Sequence, residues 1–180
     1  IDRMTNIVND LLALVRNDPN ESRLNVTDID VNKMLRDIVK RLSPLASDKN
    51  INLSFQAAKD VILMGDEVKL SLAVSNLVDN GIKYTPEGGN VKVMLDADSK
   101  DCFITVQDSG IGISEEEQTK VFERFYRVDK TRDRETGGTG LGLAITHSII
   151  MLHNGSVKII SGKNEGATFI VRLPLERKEE

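Results

Sequence analysis

The chain is 180 residues long, enough for one well-cored domain plus an appendage. An apolar fraction of 39% and a mean hydropathy of -0.24 are ordinary for a soluble globular protein, and a net charge of -4 leaves no basic footprint for nucleic acid. Cys102 is the only cysteine, which excludes internal disulfides and cysteine-based zinc sites, and no apolar run reaches the roughly 20 residues needed to span a bilayer.

In chain order, Met4, Ile7, Val8, Leu11, Leu12 and Val15 recur at helical spacing, and Met4, Val8, Leu11 and Val15 alternate steps of four and three. Such a stripe requires a partner helix. The chain opens at Ile1, without an initiator Met and inside this pattern, so we read it as a piece of a longer protein. Asp18-Pro19-Asn20-Glu21-Ser22 ends the helix, because the residue before a proline disfavours the α region. The expected organisation is an appended helix over 1–18, a linker over 19–23, a domain over 24–176 and a charged tail over 177–180.

Within the domain, residues 24–29 read as a short strand and 31–46 as a helix with Met34, Leu35, Ile38, Val39 and Leu42 on one side. Pro44 stands where it can cut that helix short. The stretches 51–55 and 61–64 alternate as short strands do, and Asp66 is placed to cap a long helix running to Tyr84. Residues 91–97 and 103–107 read as an antiparallel pair around a loop at 98–101, with Cys102 in strand packing. Ser114 opens a helix over 115–122, rich in first-turn carboxylates, and a second spans 141–152 with Leu141, Ile145, Ile149 and Leu152 inward. Residues 157–160 and 168–173 pair as closing strands. Strands largely separate from long helices predict an α+β fold, a two-layer sandwich with helices over one sheet face.

The polar loop ahead of residue 143 is crowded with Gly137, Gly138, Gly140 and Gly142. Glycines let a backbone approach a ligand closely, and the following helix presents unpaired N–H groups to an anion, so this loop points to phosphate; a flexible loop with a cap is the bland alternative. No GxxxxGK[ST] motif occurs. A dinucleotide fingerprint fails too, since its third glycine would fall at Leu143 and the preceding residues 127–135 are charged.

Asn76, Asn80 and Lys83 are spaced by four and three and share one helix face. Two amides and an ammonium there either make internal hydrogen bonds or hold a ligand, and an amide oxygen suits Mg²⁺ when phosphates supply the remaining ligands. Gly81 costs its helix about 1 kcal/mol relative to alanine, which close approach by a ligand or a neighbouring segment would explain. The run Asp108-Ser109-Gly110-Ile111-Gly112-Ile113 leaves a strand and turns on two glycines. It is either a strand-ending turn or a carboxylate set to accept from an exocyclic amine while the glycines admit a flat ring. Phe122, Phe125 and Tyr126 read as packing anchors, and Arg127 as a candidate phosphate ligand.

Taken together, 76-NLVDNGIKYT-85, 108-DSGIGI-113, 122-FERFYR-127 and 138-GTGLGL-143 closely resemble the N box, the two glycine boxes and the intervening F box of sensor histidine kinases. Residues 1–16 also look like the second helix of that family's dimerisation and phosphotransfer domain. The resemblance implies a Bergerat ATP-binding sandwich, with a mixed, mostly antiparallel sheet, preceded by one bundle helix. It further implies ATP and Mg²⁺ as ligands, with Asp108 accepting from the adenine amine and Thr168 assisting. Gly110, Gly112 and Ile113 would line the base, Tyr84 and Tyr126 would lie near the nucleotide, and Asn80 with Asn76 would hold the metal. Lys83, Arg127 and the segment Gly138, Thr139, Gly140, Leu141, Gly142 and Leu143 would meet phosphates, with 127–139 as a mobile lid. The catalytic set so implied is Arg127, Lys83 and Asn76. The implied partners are a second copy of the chain, through the phosphotransfer helices, and a response-regulator receiver domain. The implied place is the cytoplasmic side of a membrane-anchored bacterial sensor, with the membrane reached only through upstream segments.

Some positions depart from the family pattern. Gly81 replaces the commoner alanine, Asn164 stands where a glycine is usual before Gly166, and Asn154 replaces a glycine at a helix-ending turn where both residues tolerate the left-handed region. No His followed directly by an acidic residue occurs, and neither His147, expected at the surface, nor His153, expected at a helix end, fits an acceptor. A gyrase-like hydrolase would need a glutamate where Asn76 stands, since an amide is no general base. A serine kinase of the anti-sigma type would not carry the leading bundle helix, and nucleotide binding without catalysis would require a broken motif.

Overall fold

Two aspartates start the two long helices. In the computed structural model, which describes residues 24–127 and 139–176, β1 (Thr27–Asp30) ends on Asp30, whose side chain accepts from the Lys33 N–H at 2.9 Å and opens α1 (Val31–Asp48). β2 (Asn52–Ala57) and β3 (Ile62–Gly65) follow, and Asp66 then caps α2 (Glu67–Tyr84) by accepting from the Lys69 N–H at 3.1 Å. The second oxygen of Asp66 accepts from the Asn25 N–H at 3.1 Å, so one carboxylate joins the chain's entry to the start of α2. The expected leading helix, linker and tail, and residues 128–138, lie outside the described residues.

β4 (Asn90–Ala97) and β5 (Asp101–Asp108) form the expected hairpin, the short α3 (Glu115–Gln118) follows, and α4 (Gly142–Leu152), β6 (Ser156–Ser161) and β7 (Ala167–Pro174) complete the order. The main sheet has five strands in the order β2-β4-β5-β7-β6, with β2 parallel to β4 and every other pair antiparallel. β1 and β3 stand apart as a two-stranded antiparallel ribbon with Thr27 opposite Gly65, where a single sheet was expected. Each of these four-residue strands runs straight into a helix cap, which leaves no length to continue into the main sheet.

Alternation puts Val91, Val93 and Leu95 of β4, Ile104 and Val106 of β5, and Phe169, Val171 and Leu173 of β7 on the buried face. α2 lies over it between α1 and α4, and Leu70, Ala73, Val74, Leu77 and Val78 join the same core. A Cβ at Gly81 would lie 3.2 Å from Val91 Cγ1, so a neighbouring strand accounts for that glycine. Cys102 is buried in β5, and burial pushes its thiol up to about 12.

Three local expectations are corrected. Pro44 remains inside α1, whose last turn is held by buried Ala46 and by Lys49 and Ile51 N–H groups donating to the Ala46 carbonyl. Packing outweighs the missing donor. The helix expected over 115–122 is only α3, because the Gln118 side chain donates to the Ile113 and Ser161 carbonyls and ties that turn to β6. The Ser114 hydroxyl donates to Glu117 Oε2 at 2.6 Å and makes no backbone cap. Leu152 is half-buried, while Thr146 and Ile150 join Ile145 and Ile149 inward.

Replacing Asp66 removes a cap and a clasp together. Asp66→Ala should lower unfolding free energy by about 1–2 kcal/mol, read as a reduced urea midpoint. An unchanged midpoint would show that the cap contributes nothing.

Candidate functional site

α4 runs antiparallel to α2 and is tied to it by side chains along its length. The Asn76 Nδ2 donates to the Gly142 carbonyl at 3.2 Å, and the Thr146 hydroxyl donates to the Ala73 carbonyl at 3.1 Å. Buried His153 accepts the Asp66 N–H at Nε2 at 3.0 Å, so its proton is on Nδ1, 2.8 Å from the Ile149 carbonyl. These ties hold the first residue of α4 beside Asn76. One turn further along α2, Asn80 is half-buried and its side chain makes no hydrogen bond among the described residues. Lys83 Nζ lies 5.3 Å from the centroid of the half-exposed Tyr84 ring.

A second wall comes from the end of β5. Asp108 Oδ1 accepts from the Gly110 N–H at 2.8 Å and the Ala167 N–H at 3.2 Å. Burial raises its carboxyl above the usual value, against the opposing pull of those two donors. The turn is pressed against α2: a Cβ at Gly110 would lie 2.7 Å from the Tyr84 carbonyl, and the Ile111 N–H donates to that oxygen at 3.3 Å. Gly112 has φ +69°, and a Cβ there would collide with the Gly162 carbonyl. The next N–H, Ile113, donates to Ser161 Oγ at 2.8 Å, and that hydroxyl donates to the Gly166 carbonyl at 2.6 Å.

Residues 125–127 form a third wall. Phe125 has φ +64° and donates its N–H to the Gly140 carbonyl at 3.0 Å; a Cβ at Gly140, itself at φ +74°, would lie 3.0 Å from the Phe125 backbone. Thr139 Oγ1 accepts from the Leu141 N–H at 3.2 Å, buried Leu141 precedes α4, and half-buried Leu143 packs against the core. Tyr126 and Arg127 are half-buried beside this loop. Gly138 lies outside the described residues. Phe122 packs on the core as expected and stacks at 5.3 Å against the exposed His147, but Phe125 is 59% exposed and is no packing anchor.

These contacts bring together Asn76, Tyr84, Asp108, Gly110 and the loop from Thr139 to Gly142, with Asn80 and Lys83 on the intervening turns of the same helix. Thr168 is not brought to them. Its partner in the ladder is exposed Gln107, so it stands on the sheet face opposite Asp108, and the Ala167 N–H takes the place beside the carboxylate. Sequence reasoning passed over Ala167, which acts through its backbone and carries no side-chain signature. It passed over Ser161 as well, and over Thr146, a hydroxyl among apolar neighbours that could have been flagged. Asn164 and Asn154 take the left-handed conformations, φ +64° and +56°, that their positions require.

The site is thus built from a buried strand ending in a carboxylate, two glycine turns and an amide-bearing helix. Residues 65–177 match the family model described as histidine kinase-, DNA gyrase B- and HSP90-like ATPase, and the chain belongs to that family. It is 38% identical over 174 residues to the sensor histidine kinase RppB of Synechocystis, covering 96% of this chain and 38% of that protein. Among solved structures, full-length ShkA in complex with AMPPNP superposes with a TM-score of 0.85 at 26% identity, over 99% of this chain and 37% of that one. The histidine kinase ThkA, in complex with the response regulator protein TrrA, gives 0.79 at 25% identity, over 97% of this chain and 48% of that one. The chain thus spans less than half the length of these relatives.

Gly140 combines a left-handed backbone with neighbours that a methyl group would press on. Gly140→Ala should cost about 1–2 kcal/mol or more and lower the thermal midpoint, whereas Gly88→Ala, also at positive φ but in open space, should cost less. Equal losses would mean that contact with Phe125 is unimportant.

Proposed function

We propose that this chain is the ATP-binding catalytic portion of a sensor histidine kinase, preceded over 1–18 by the second helix of its phosphotransfer domain. The observation that carries the reading is the tie between Asn76 and Gly142. The α2 position where a hydrolase would need a general base holds an amide, and that amide grips the glycine loop. Bound ATP therefore meets groups that position and neutralise it, which is most of what phosphoryl transfer requires. The likeness to ShkA with AMPPNP supports an adenine nucleotide, and that to ThkA with TrrA supports a receiver domain as partner.

In this reading Asp108, already fixed by two N–H groups, accepts from the adenine amine. The half-buried amide of Asn80 and the oxygen of Asn76, whose nitrogen is engaged, fit a hard cation that needs few protein ligands, so these two would hold Mg²⁺. Bound there, Mg²⁺ supplies charge neutralisation at the phosphates. Lys83, Arg127 and the N–H groups around Gly140 and Gly142 would meet the phosphates, Tyr84 and Tyr126 would flank the nucleotide, and Gly110 to Ile113 would border the base. The phosphoryl acceptor is a histidine on a preceding helix of the full protein, which pairs with a second copy and passes the group to a receiver aspartate. Among the described residues no helix is long and apolar enough to cross a membrane, and we assign any anchor of a bacterial sensor to other segments, with this domain on the cytoplasmic side.

The Asp108 carboxylate would face guanine's carbonyl with like polarity. Calorimetry should therefore show Mg²⁺-dependent binding of ATP, little binding of GTP, and strong weakening by Asp108→Asn; equal affinity for both nucleotides rejects the assignment.

The isolated chain should turn over ATP near background, and a phosphotransfer domain added in trans should become phosphorylated in an acid-labile form, weakly for want of a tether. Arg127→Ala should reduce transfer more than ATP binding, because its contact is with the group whose charge shifts. Vigorous hydrolysis indifferent to the added domain would replace the kinase reading with a gyrase-like one.

A further inference from the structure

The end of α2 is closed in an unusual way. A helix leaves its last four carbonyls without intrahelical partners, and a glycine in the left-handed conformation commonly helps to satisfy them. Here the residue after the helix is Thr85, in extended conformation at φ -85° and ψ 130°. Its N–H reaches the Gly81 carbonyl at 3.1 Å, and the Tyr84 carbonyl receives the Ile111 N–H at 3.3 Å. The two carbonyls between them, and that of Thr85 just beyond, are met from another helix: Lys49, the C-cap residue of α1, donates through Nζ to Ile82 O at 2.7 Å, Lys83 O at 2.9 Å and Thr85 O at 3.1 Å. An ammonium has three donors, so all are used, and its charge lies at the negative end of the α2 dipole.

The surroundings make this closure matter. Thr85 is 1% exposed, its hydroxyl is buried without a hydrogen bond among the described residues, and Ile82 is fully buried. Carbonyls stripped of Lys49 in such a place are poorly reached by water and costly to leave unpaired. The last turn of α2 carries Lys83 and Tyr84, and the turn at Gly110 and Ile111 is pressed on it. Whatever fixes the Ile82 to Thr85 backbone therefore fixes the direction in which Lys83 leaves the helix, while Asp108 keeps its own ties to the Gly110 and Ala167 N–H groups.

We propose that Lys49 is a positioning residue for nucleotide binding: from the end of α1 it clamps the last turn of α2 and so aims Lys83 at the phosphates. The functional half of this inference rests on the nucleotide reading above; the clamp itself does not.

Two measurements on the same chain separate them. In the nucleotide-free protein, K49M should speed amide exchange at Lys83, Tyr84 and Thr85 about tenfold while amides inside β5 and β7 keep their rates, with K49R restoring most of the protection. By calorimetry, K49M should weaken ATP about tenfold but leave AMP, which lacks the outer phosphates, nearly unaffected, and K49R should recover part of the loss. K49Q, which keeps a shorter donor, supplies the same comparison if K49M does not fold. Unchanged exchange over 83–85, or acceleration spread equally through the sheet, overturns the clamp. Altered exchange with unchanged ATP affinity, or equal losses for ATP and AMP, overturns the positioning role. Failure of the unaltered chain to bind ATP defeats the nucleotide reading instead, and the exchange experiment still decides the clamp.

Discussion

The structure depends on how α2 is held. This helix must bury Leu70, Ala73, Val74, Leu77 and Val78 against the sheet and still present Asn76, Asn80 and Lys83 at its rim. An amphipathic helix can slide or rotate on an apolar surface at modest cost, because hydrophobic contact is non-directional. Directional bonds remove that freedom. At the first turn the Asp66 carboxylate caps the helix and the Asp66 N–H goes to His153; in the middle Thr146 reaches the Ala73 carbonyl; at the last turn Lys49 gathers three carbonyls. The ties from α4 at the first turn and the middle, and from the end of α1 at the last turn, together set both rotation and axial register.

Once α2 is placed, the remaining walls follow from close approach. Gly81 lets β4 come within contact of the helix, and Gly110 lets the turn after β5 pass the Tyr84 carbonyl. Asp108 is thereby held at the end of a buried strand with two N–H groups on one oxygen. Its carboxyl sits above the usual range because burial disfavours the charge, and the two donors limit that rise. A carboxylate so anchored has lost the freedom to reorient and is preorganised as an acceptor, which is a property of the backbone around it as much as of the residue.

The glycine loop is placed by its neighbours. It precedes a helix that is lashed to another helix, and Asn76 grips its last glycine by the carbonyl. Phe125 closes the other side through the Gly140 carbonyl, with both residues in left-handed conformations. For Phe125, which carries a side chain, that conformation is uncommon and is sustained only where the surroundings determine it. The loop, the F-box segment and the amide helix therefore form one connected arrangement rather than three separate motifs.

Much of this was legible in the residues. Periodicity located both long helices and the hairpin, Asp66 announced a cap, and the left-handed asparagine could be anticipated at 154, because these signals are local and their physics acts within a few residues. Motif spacing also identified most residues that meet at the rim. What the sequence could not decide was which face a strand turns toward which neighbour, and what lies across from a backbone group. Ladder register, set by pairing with β5, turned Thr168 away and gave Asp108 the Ala167 N–H. Packing kept Pro44 inside α1, and α3 ends at Gln118, whose side chain is tied to β6. Lys49 reads as one more charge after a helix until folding brings the end of α2 beside it, since a bond to a backbone carbonyl 33 to 36 positions away depends on tertiary geometry and leaves no mark in the chain.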